Sequence, residues 1–185
     1  MTLKEYQKLS TRTCNDLGSL ESNLSHMVLG IISEREEFLY AMENRDFVNA
    51  KEEIADKMFY VANYCTFRGF DLEEVCGNVN IPPKGLSEFE AVNAWDIYSS
   101  KLADYVKKFM AYPKPLDENL EKEALKAIVW SFTLEDIDFD FDIDLQKNID
   151  KLKVRYPQKF STDSSLNRDL DKELEILEKD YKYEV

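Results

Sequence analysis

Four acidic residues lie at spacings that could build a metal centre. Glu34 and Glu37 are three residues apart, and Glu53 and Asp56 repeat that spacing farther along the chain. Residues three apart share one face of a helix, so each pair can direct two carboxylates toward one point. Glu34 also falls within an apolar stripe, where a carboxylate without a partner would be costly. A divalent cation would offset that cost, and ligands that are all oxygen suit Mg²⁺ or Mn²⁺.

Two consecutive helices are predicted to carry these pairs. Apolar residues recur at spacings of three, four and seven over about 24–44 and 47–68, which is typical of amphipathic helices. Gly69 follows the second segment at the position where helices commonly end. If a short turn near 44–46 makes the two helices antiparallel, all four carboxylates can face one another. The pattern alone leaves open a second interpretation, in which the glutamates form a solvated helix face.

The rest of the chain also indicates helices, so we predict an all-α bundle. We expect further helices over about 3–13, 87–111, 117–134, 145–155 and 165–182. The alternating run 136–144 is interpreted as a connection that buries its apolar residues and leaves its aspartates in water. Five glycines and five prolines in 185 residues are too few for the many turns of a sandwich or barrel. We predict one helical domain over 1–185, with a metal-binding half at 1–80, a second half at 87–160 and a C-terminal helix at 161–185.

Composition excludes several functional classes. The net charge of −13 disfavours nucleic-acid binding, which needs a basic surface. No apolar run approaches the length of about 18 residues that a membrane span needs, so we expect no membrane partner. The five glycines do not form either common glycine-rich nucleotide-binding motif. Three cysteines without a close pair are typical of reduced thiols, which predicts a cytoplasmic protein.

The carboxylate segment resembles a known enzyme family. Residues 24–65, LSHMVLGIISEREEFLYAMENRDFVNAKEEIADKMFYVANYC, are similar to the MazG-like all-α nucleoside triphosphate pyrophosphohydrolases, whose signature is ExxE followed after a gap by ExxD. The segments EYQKLSTRT at 5–13 and NIDKLKVRYPQKFS at 148–161 resemble phage-type members of that family. The resemblance implies cleavage of a (deoxy)nucleoside triphosphate to the monophosphate and pyrophosphate. It also implies Mg²⁺, with Mn²⁺ as a substitute, bound by Glu34, Glu37, Glu53 and Asp56, one of the glutamates serving instead as a base.

Five further residues are candidates for substrate binding. Tyr60 and Asn63 continue the face of Glu53 and Asp56, where Tyr60 could stack on a base or belong to the core. The resemblance points to Lys151 and Arg155 as phosphate contacts, and to Asn148 as a substrate contact or a helix cap. Family members bury apolar helix faces between subunits, so the resemblance also implies a homodimer.

The second half of the chain is similar to the first. Residues 101–108 resemble 37–44, and residues 123–143 resemble 52–72. In that comparison the four candidate ligands are replaced by Tyr98, Lys101, Ala124 and Ala127. We therefore predict a degenerate internal repeat with an approximate twofold, in which only the first half binds metal and the second half borders the substrate pocket.

Two other functions stay compatible with the sequence. Loss of ligands in the second half suggests a lineage that tolerates such loss, so the chain could be a helical protein-interaction module without catalytic activity. It could also hydrolyse an alarmone-type nucleotide. Intact Glu34, Glu37, Glu53 and Asp56 favour an enzyme over the module.

Overall fold

The part of the chain that the structure describes is mostly helical. The computed structural model describes residues 1–77, 85–112, 114–131 and 137–179. Within these ranges the helices are α1 Leu3–Thr11, α2 Leu20–Glu43, α3 Phe47–Arg68, α4 Leu72–Cys76, α5 Glu88–Ala111, α6 Glu118–Trp130, α7 Phe141–Arg155, α8 Thr162–Leu166 and α9 Leu170–Glu178. The predicted all-α class is confirmed. No helix among the described residues has both the length and the apolar character that crossing a membrane requires.

Helices α2 and α3 form the antiparallel pair that the sequence predicts. The turn between them contains Arg45 in the left-handed region at φ 55°, and the side chain of Asp46 then caps α3 by accepting from the backbone N–H of Asn49. Gly69 ends α3 with a φ of 69°, which glycine adopts without strain. The long apolar faces of this pair form the centre of the core.

A second helix pair packs on the first. Helix α5 lies against α2, and α6 lies against α5, α4 and α3. Trp95 of α5 is almost fully buried, and its indole N–H donates to the carbonyl oxygen of Ile31 at 2.8 Å. Residues 87–131 therefore cover the first pair, while an internal twofold stays a prediction.

Three other helices approach α3 and contribute to the surroundings of its carboxylates. Helix α1 packs on α3, α4 and α7, and α7 packs on α3 and α9. Segments from both ends of the described chain are thereby brought to the helix that carries Glu53 and Asp56.

Some predicted boundaries differ from the structure. Helix α7 begins at Phe141 and not at Leu145, because the side chain of Asp140 accepts from two backbone N–H groups in the first turn. Ile143 is consequently exposed and Asp144 is buried, the reverse of what the alternation predicts at these two positions, whereas Ile137 is buried and Asp138, Asp140 and Asp142 are exposed as predicted. The predicted C-terminal helix is two helices, α8 and α9, separated at 167–169. The predicted helical residues 132–134 and 180–182 lie outside the described ranges, as does the predicted end of the metal-binding half at residue 80.

Candidate metal centre and adjoining cavity

Three of the four predicted ligands form a compact cluster. Glu34 and Glu37 on α2 face Glu53 on α3, and one carboxylate oxygen from each lies within 4.8 Å of the others. The antiparallel turn makes this possible, because it brings the middle of α2 opposite the first turns of α3. Glu34 and Glu53 are buried, whereas Glu37 is exposed at the edge. The cluster therefore has two desolvated carboxyls and one that reaches solvent.

Burial disfavours negative charge on the two inner carboxyls. Burial and the charge of Asp56 raise the pKa of Glu34 to about 7. The same two causes, with a hydrogen bond to Glu34, raise the pKa of Glu53 to about 10. A cation among these oxygens would remove the repulsion, and three carboxylate oxygens form a donor set that hard divalent metals prefer. The residues present therefore fit a divalent cation.

Asp56, the fourth predicted ligand, is held by two residues of α7. The ammonium of Lys151 donates to both of its carboxylate oxygens, at 2.8 and 2.7 Å, and the side-chain amide of Asn148 also donates to it. Lys151 has no exposed surface, and it also donates to Glu52 at 2.9 Å. In this structure Lys151 and Asn148 thus contact the acidic centre itself, and Lys151 supplies the positive charge beside Asp56.

The N-terminal helix fixes this arrangement from the far side. The hydroxyl of Tyr6, which is fully buried, lies 2.9 Å from Oδ1 of Asn148 and 3.1 Å from the carbonyl oxygen of Ala55. Because Oδ1 of Asn148 accepts from this hydroxyl, its amide N–H group is turned toward Asp56. Tyr6 therefore sets the orientation of the residue that contacts the fourth carboxylate.

A cavity of about 250 Å³ adjoins Asp56. Its walls combine four aromatic rings with polar and charged side chains, and the residues that line it are Thr13, Asn15, His26, Asp56, Phe59, Tyr60, Leu152, Arg155, Tyr156, Phe160 and Ser165. They come from the α1–α2 connection, α2, α3, α7 and the segment that follows α7. A volume of this size is several times the share of one water molecule, about 30 Å³.

Tyr60 lies between the cavity and the backbone of α2. A Cβ atom at Gly30 would lie 2.3 Å from Cε1 of Tyr60, so the ring can occupy this position only beside a glycine. The edge of the ring also meets His26, with 6.0 Å between ring centroids. Nδ1 of His26 is buried and has no hydrogen-bond partner among the described residues. Tyr60 and His26 therefore both border the cavity.

Arg155 lines the same cavity at the end of α7. Its Nε and Nη2 donate to the two carboxylate oxygens of Glu173 on α9, at 3.0 and 2.5 Å. Glu173 also accepts from Arg168 at 2.6 Å. The predicted phosphate contact is thus beside Asp56 and within an ion-pair network.

Asn63 and the second helix pair do not reach the cavity. Asn63 is fully buried, donates to the carbonyl oxygen of Phe59 and does not line the cavity. The ammonium of Lys101 lies 4.4 Å from the ring centroid of Tyr98. Helices α5 and α6 contribute no side chain to this cavity, whereas the later part of the predicted second half, 87–160, borders it through Leu152, Arg155, Tyr156 and Phe160.

Sequence reasoning missed four residues of this region. Glu52 and Glu173 are acidic side chains that bind Lys151 and Arg155, and Tyr6 orients Asn148 from the other end of the chain. His26 lines the cavity from α2, and no sequence pattern distinguishes it. Glu52 directly precedes the predicted ligand Glu53, which could have drawn attention to it. Helical spacing, however, does not reveal that its partner is Lys151 on α7.

One segment of the chain matches a known protein family. Residues 22–80 match the family model described as MazG nucleotide pyrophosphohydrolase domain, which confirms the resemblance predicted from the carboxylate spacing. This range covers α2, α3 and α4, and therefore Glu34, Glu37, Glu53 and Asp56. The chain has no significant match among curated proteins or among solved structures.

Proposed function

We propose that this chain hydrolyses a (deoxy)nucleoside triphosphate to the monophosphate and pyrophosphate with Mg²⁺, from the premise that residues 22–80 match the family model described as MazG nucleotide pyrophosphohydrolase domain. The observation that carries the proposal is the cluster of Glu34, Glu37 and Glu53 next to a cavity lined by aromatic rings and Arg155. Membership in this family implies a nucleotide hydrolase that depends on a divalent metal, and the buried acidic cluster is consistent with it.

The carboxylates of Glu34, Glu37, Glu53 and Asp56 are suited to bind a divalent cation, which in turn could bind phosphate. A divalent cation held by these carboxylates would neutralise phosphate oxygens and lower the pKa of an attacking water. In the proposed reaction one carboxylate of the cluster accepts a proton from the water as its oxygen bonds to the α-phosphorus. The bond from that phosphorus to the bridging oxygen breaks, and pyrophosphate leaves with the bonding electrons. Glu34, Glu37, Glu53 and Asp56 are the proposed ligands and proton acceptor.

The cavity is suited to the nucleoside part. Stacking of a base on an aromatic side chain contributes roughly 1–3 kcal/mol, and the four rings of the cavity offer such surfaces. We propose that Tyr60, held flat against α2 by Gly30, contacts the base. Arg155 at the same cavity is the proposed phosphate contact, since a guanidinium matches the geometry of phosphate oxygens.

Lys151 and Asn148 are proposed to act at the phosphate end. Both already contact Asp56, so a metal-bound phosphate reaching Asp56 would meet them. Asn63, buried on the same helix as Asp56, has a side-chain oxygen without a hydrogen-bond partner among the described residues. Its predicted contact with substrate therefore requires a rearrangement of that helix face.

The proposal also covers the setting of the reaction. We propose that Mg²⁺ is the usual metal and that Mn²⁺ can replace it. We also propose that the protein is cytoplasmic and forms a homodimer. Because the net charge is −13, we propose no nucleic-acid partner. The phage-type subclass stays a prediction.

The test is release of pyrophosphate from a panel of common and modified (deoxy)nucleoside triphosphates, with Mg²⁺, Mn²⁺ or EDTA. We expect a nucleoside monophosphate and pyrophosphate in equal amounts, and no turnover in EDTA. Glu53→Gln should abolish turnover, whereas Glu36→Gln, which changes an exposed carboxyl on α2, should not. Binding of nucleotides without any turnover would favour the interaction module instead, and turnover of guanosine tetraphosphate alone would favour the alarmone hydrolase.

A further inference from the structure

The carboxylate of Glu173 pairs with Arg155, which lines the cavity. Glu173 lies on α9, only 3% of its surface is exposed, and it accepts hydrogen bonds from Arg155 and Arg168. Although burial acts in the opposite direction, the bonds from these two arginines lower the pKa of Glu173 to about 2. The carboxylate therefore stays charged over the whole physiological range.

The pairing leaves one edge of the Arg155 guanidinium available. Nε and Nη2 of Arg155 donate to the two oxygens of Glu173, and this double contact fixes the plane of the group. In the described part of the chain Nη1 donates to no protein group. The side chain is 15% exposed and lines the cavity that contains Asp56. Glu173 thus occupies one edge while the other remains for a ligand.

Without Glu173, Arg155 would have a competing partner. Asp56 lines the same cavity, and its negative charge already acts on Arg155. A guanidinium on a free side chain would lose rotamer entropy on binding phosphate, or would turn toward that carboxylate. A side chain held in place before binding avoids much of this cost.

We propose that Glu173 is a positioning residue that holds Arg155 so that Nη1 meets a phosphate oxygen of the substrate. This inference rests on the proposed function and adds α9, which lies outside residues 22–80, to the site. The competing explanation is that Glu173 only fixes α9 to α7.

The experiment compares Glu173→Gln with a variant that disturbs the same packing elsewhere. The ammonium of Lys147 on α7 donates to the carbonyl oxygen of Leu177 on α9 at 3.0 Å, so Lys147→Met loosens α9 without touching Arg155. With the triphosphate that the wild type hydrolyses fastest, Glu173→Gln should raise KM about tenfold and change kcat less than threefold. Lys147→Met should lower Tm and leave KM within twofold of the wild type.

Combining substitutions separates positioning from simple packing. Glu173→Gln added to Arg155→Ala should raise KM no further, because its effect passes through Arg155. An additional rise in the double variant, or an unchanged KM in Glu173→Gln alone, overturns the inference. If Glu173→Gln does not fold, Glu173→Asp keeps the charge but shortens the side chain, and it should raise KM in the same way.

A binding measurement distinguishes failure of this inference from failure of the proposed function. If the wild type releases no pyrophosphate from any nucleotide, the proposed function fails. Inorganic tripolyphosphate with Mg²⁺ then serves as the probe. Its Kd should rise about tenfold in Glu173→Gln and stay unchanged in Lys147→Met, and equal affinity in all three proteins refutes the positioning role.

Discussion

Replacing Glu53 by Gln should flatten the pH dependence of stability of the metal-free protein between pH 5 and 7. Burial, the charge of Asp56 and a hydrogen bond to Glu34 raise the pKa of Glu53 from 4.5 to about 10. Because this folded-state pKa lies above the unfolded value, the folded protein keeps a proton that the unfolded chain has released. The resulting stabilisation is complete below about pH 4.5 and is lost as the pH rises toward the folded-state pKa.

The expected magnitude follows from a single proton. One proton retained on folding changes the free energy of unfolding by about 1.4 kcal/mol per pH unit. From pH 5 to pH 7 the free energy of unfolding of the wild type should fall by about 3 kcal/mol more than that of Glu53→Gln. For a chain of this size that difference corresponds to roughly 6–12 °C in Tm.

The comparison between wild type and variant removes the contributions of groups that do not contact Glu53. Burial lowers the pKa of Lys57 to about 7 and also lowers that of His26, so both increase stability as the pH rises. They titrate in both proteins and cancel in the difference. Above pH 7 Lys57 would offset Glu53 in the wild type, and for that reason the window ends there.

The assay is denaturation by urea and by heat in EDTA at pH 5, 6 and 7, with Glu36→Gln as the matched control. Stability curves of wild type and Glu53→Gln that run parallel across this range would refute the reasoning. Adding Mg²⁺ at pH 7 should increase the free energy of unfolding of the wild type by about 2.7 kcal/mol at a hundred times Kd, and its Tm should rise accordingly. It should raise the Tm of Glu53→Gln much less, because one carboxylate of the cluster is gone.

Three other outcomes follow from the described contacts. Gly30→Ala should displace the ring of Tyr60, which should lower the free energy of unfolding by about 1–3 kcal/mol and raise KM several-fold. Thermal melts and steady-state kinetics measure these two effects, and an unchanged KM would contradict the role of Tyr60. Lys151→Met removes the buried counter-ion of Asp56 and should destabilise the protein by about 3–5 kcal/mol in EDTA, a loss that Mg²⁺ partly restores. If the loss of stability were equal with and without Mg²⁺, Lys151 would not act on the metal centre. Sedimentation at micromolar concentration should show a homodimer, and a single 21.7 kDa species would refute it.

Sequence patterns predicted the structure correctly where it depends on a single helix and its ends. The spacing of apolar residues located α2 and α3, and the predicted helix over 87–111 corresponds to α5, Glu88–Ala111, which the capping box of Ser87 and Glu90 begins. The turn after α2 then brought Glu34, Glu37 and Glu53 together as predicted, because a short connection between long helices forces them to be antiparallel.

Patterns failed where the partner lies on another helix. Nothing in the spacing of Asp56 shows that Lys151 will neutralise it from α7, and nothing near Arg155 identifies Glu173 on α9. The run before Leu145 misled for a different reason, since its strict alternation hides the cap at Asp140 that begins α7 early. Tertiary packing decides these contacts, and one sequence does not reveal it.

The bond from Tyr6 to Asn148 joins positions 142 residues apart, and Lys151 reaches Asp56 across 95 residues. Contacts of such long range form late, because loop closure must be completed before they contribute. During synthesis the acidic pair of α2 and α3 emerges well before the lysine that neutralises it. A nascent or truncated chain ending before α7 therefore presents Asp56 and its neighbours without their counter-ion. We expect such a chain to depend on a divalent cation for compaction, so that metal supply would influence how the protein matures as well as how it acts.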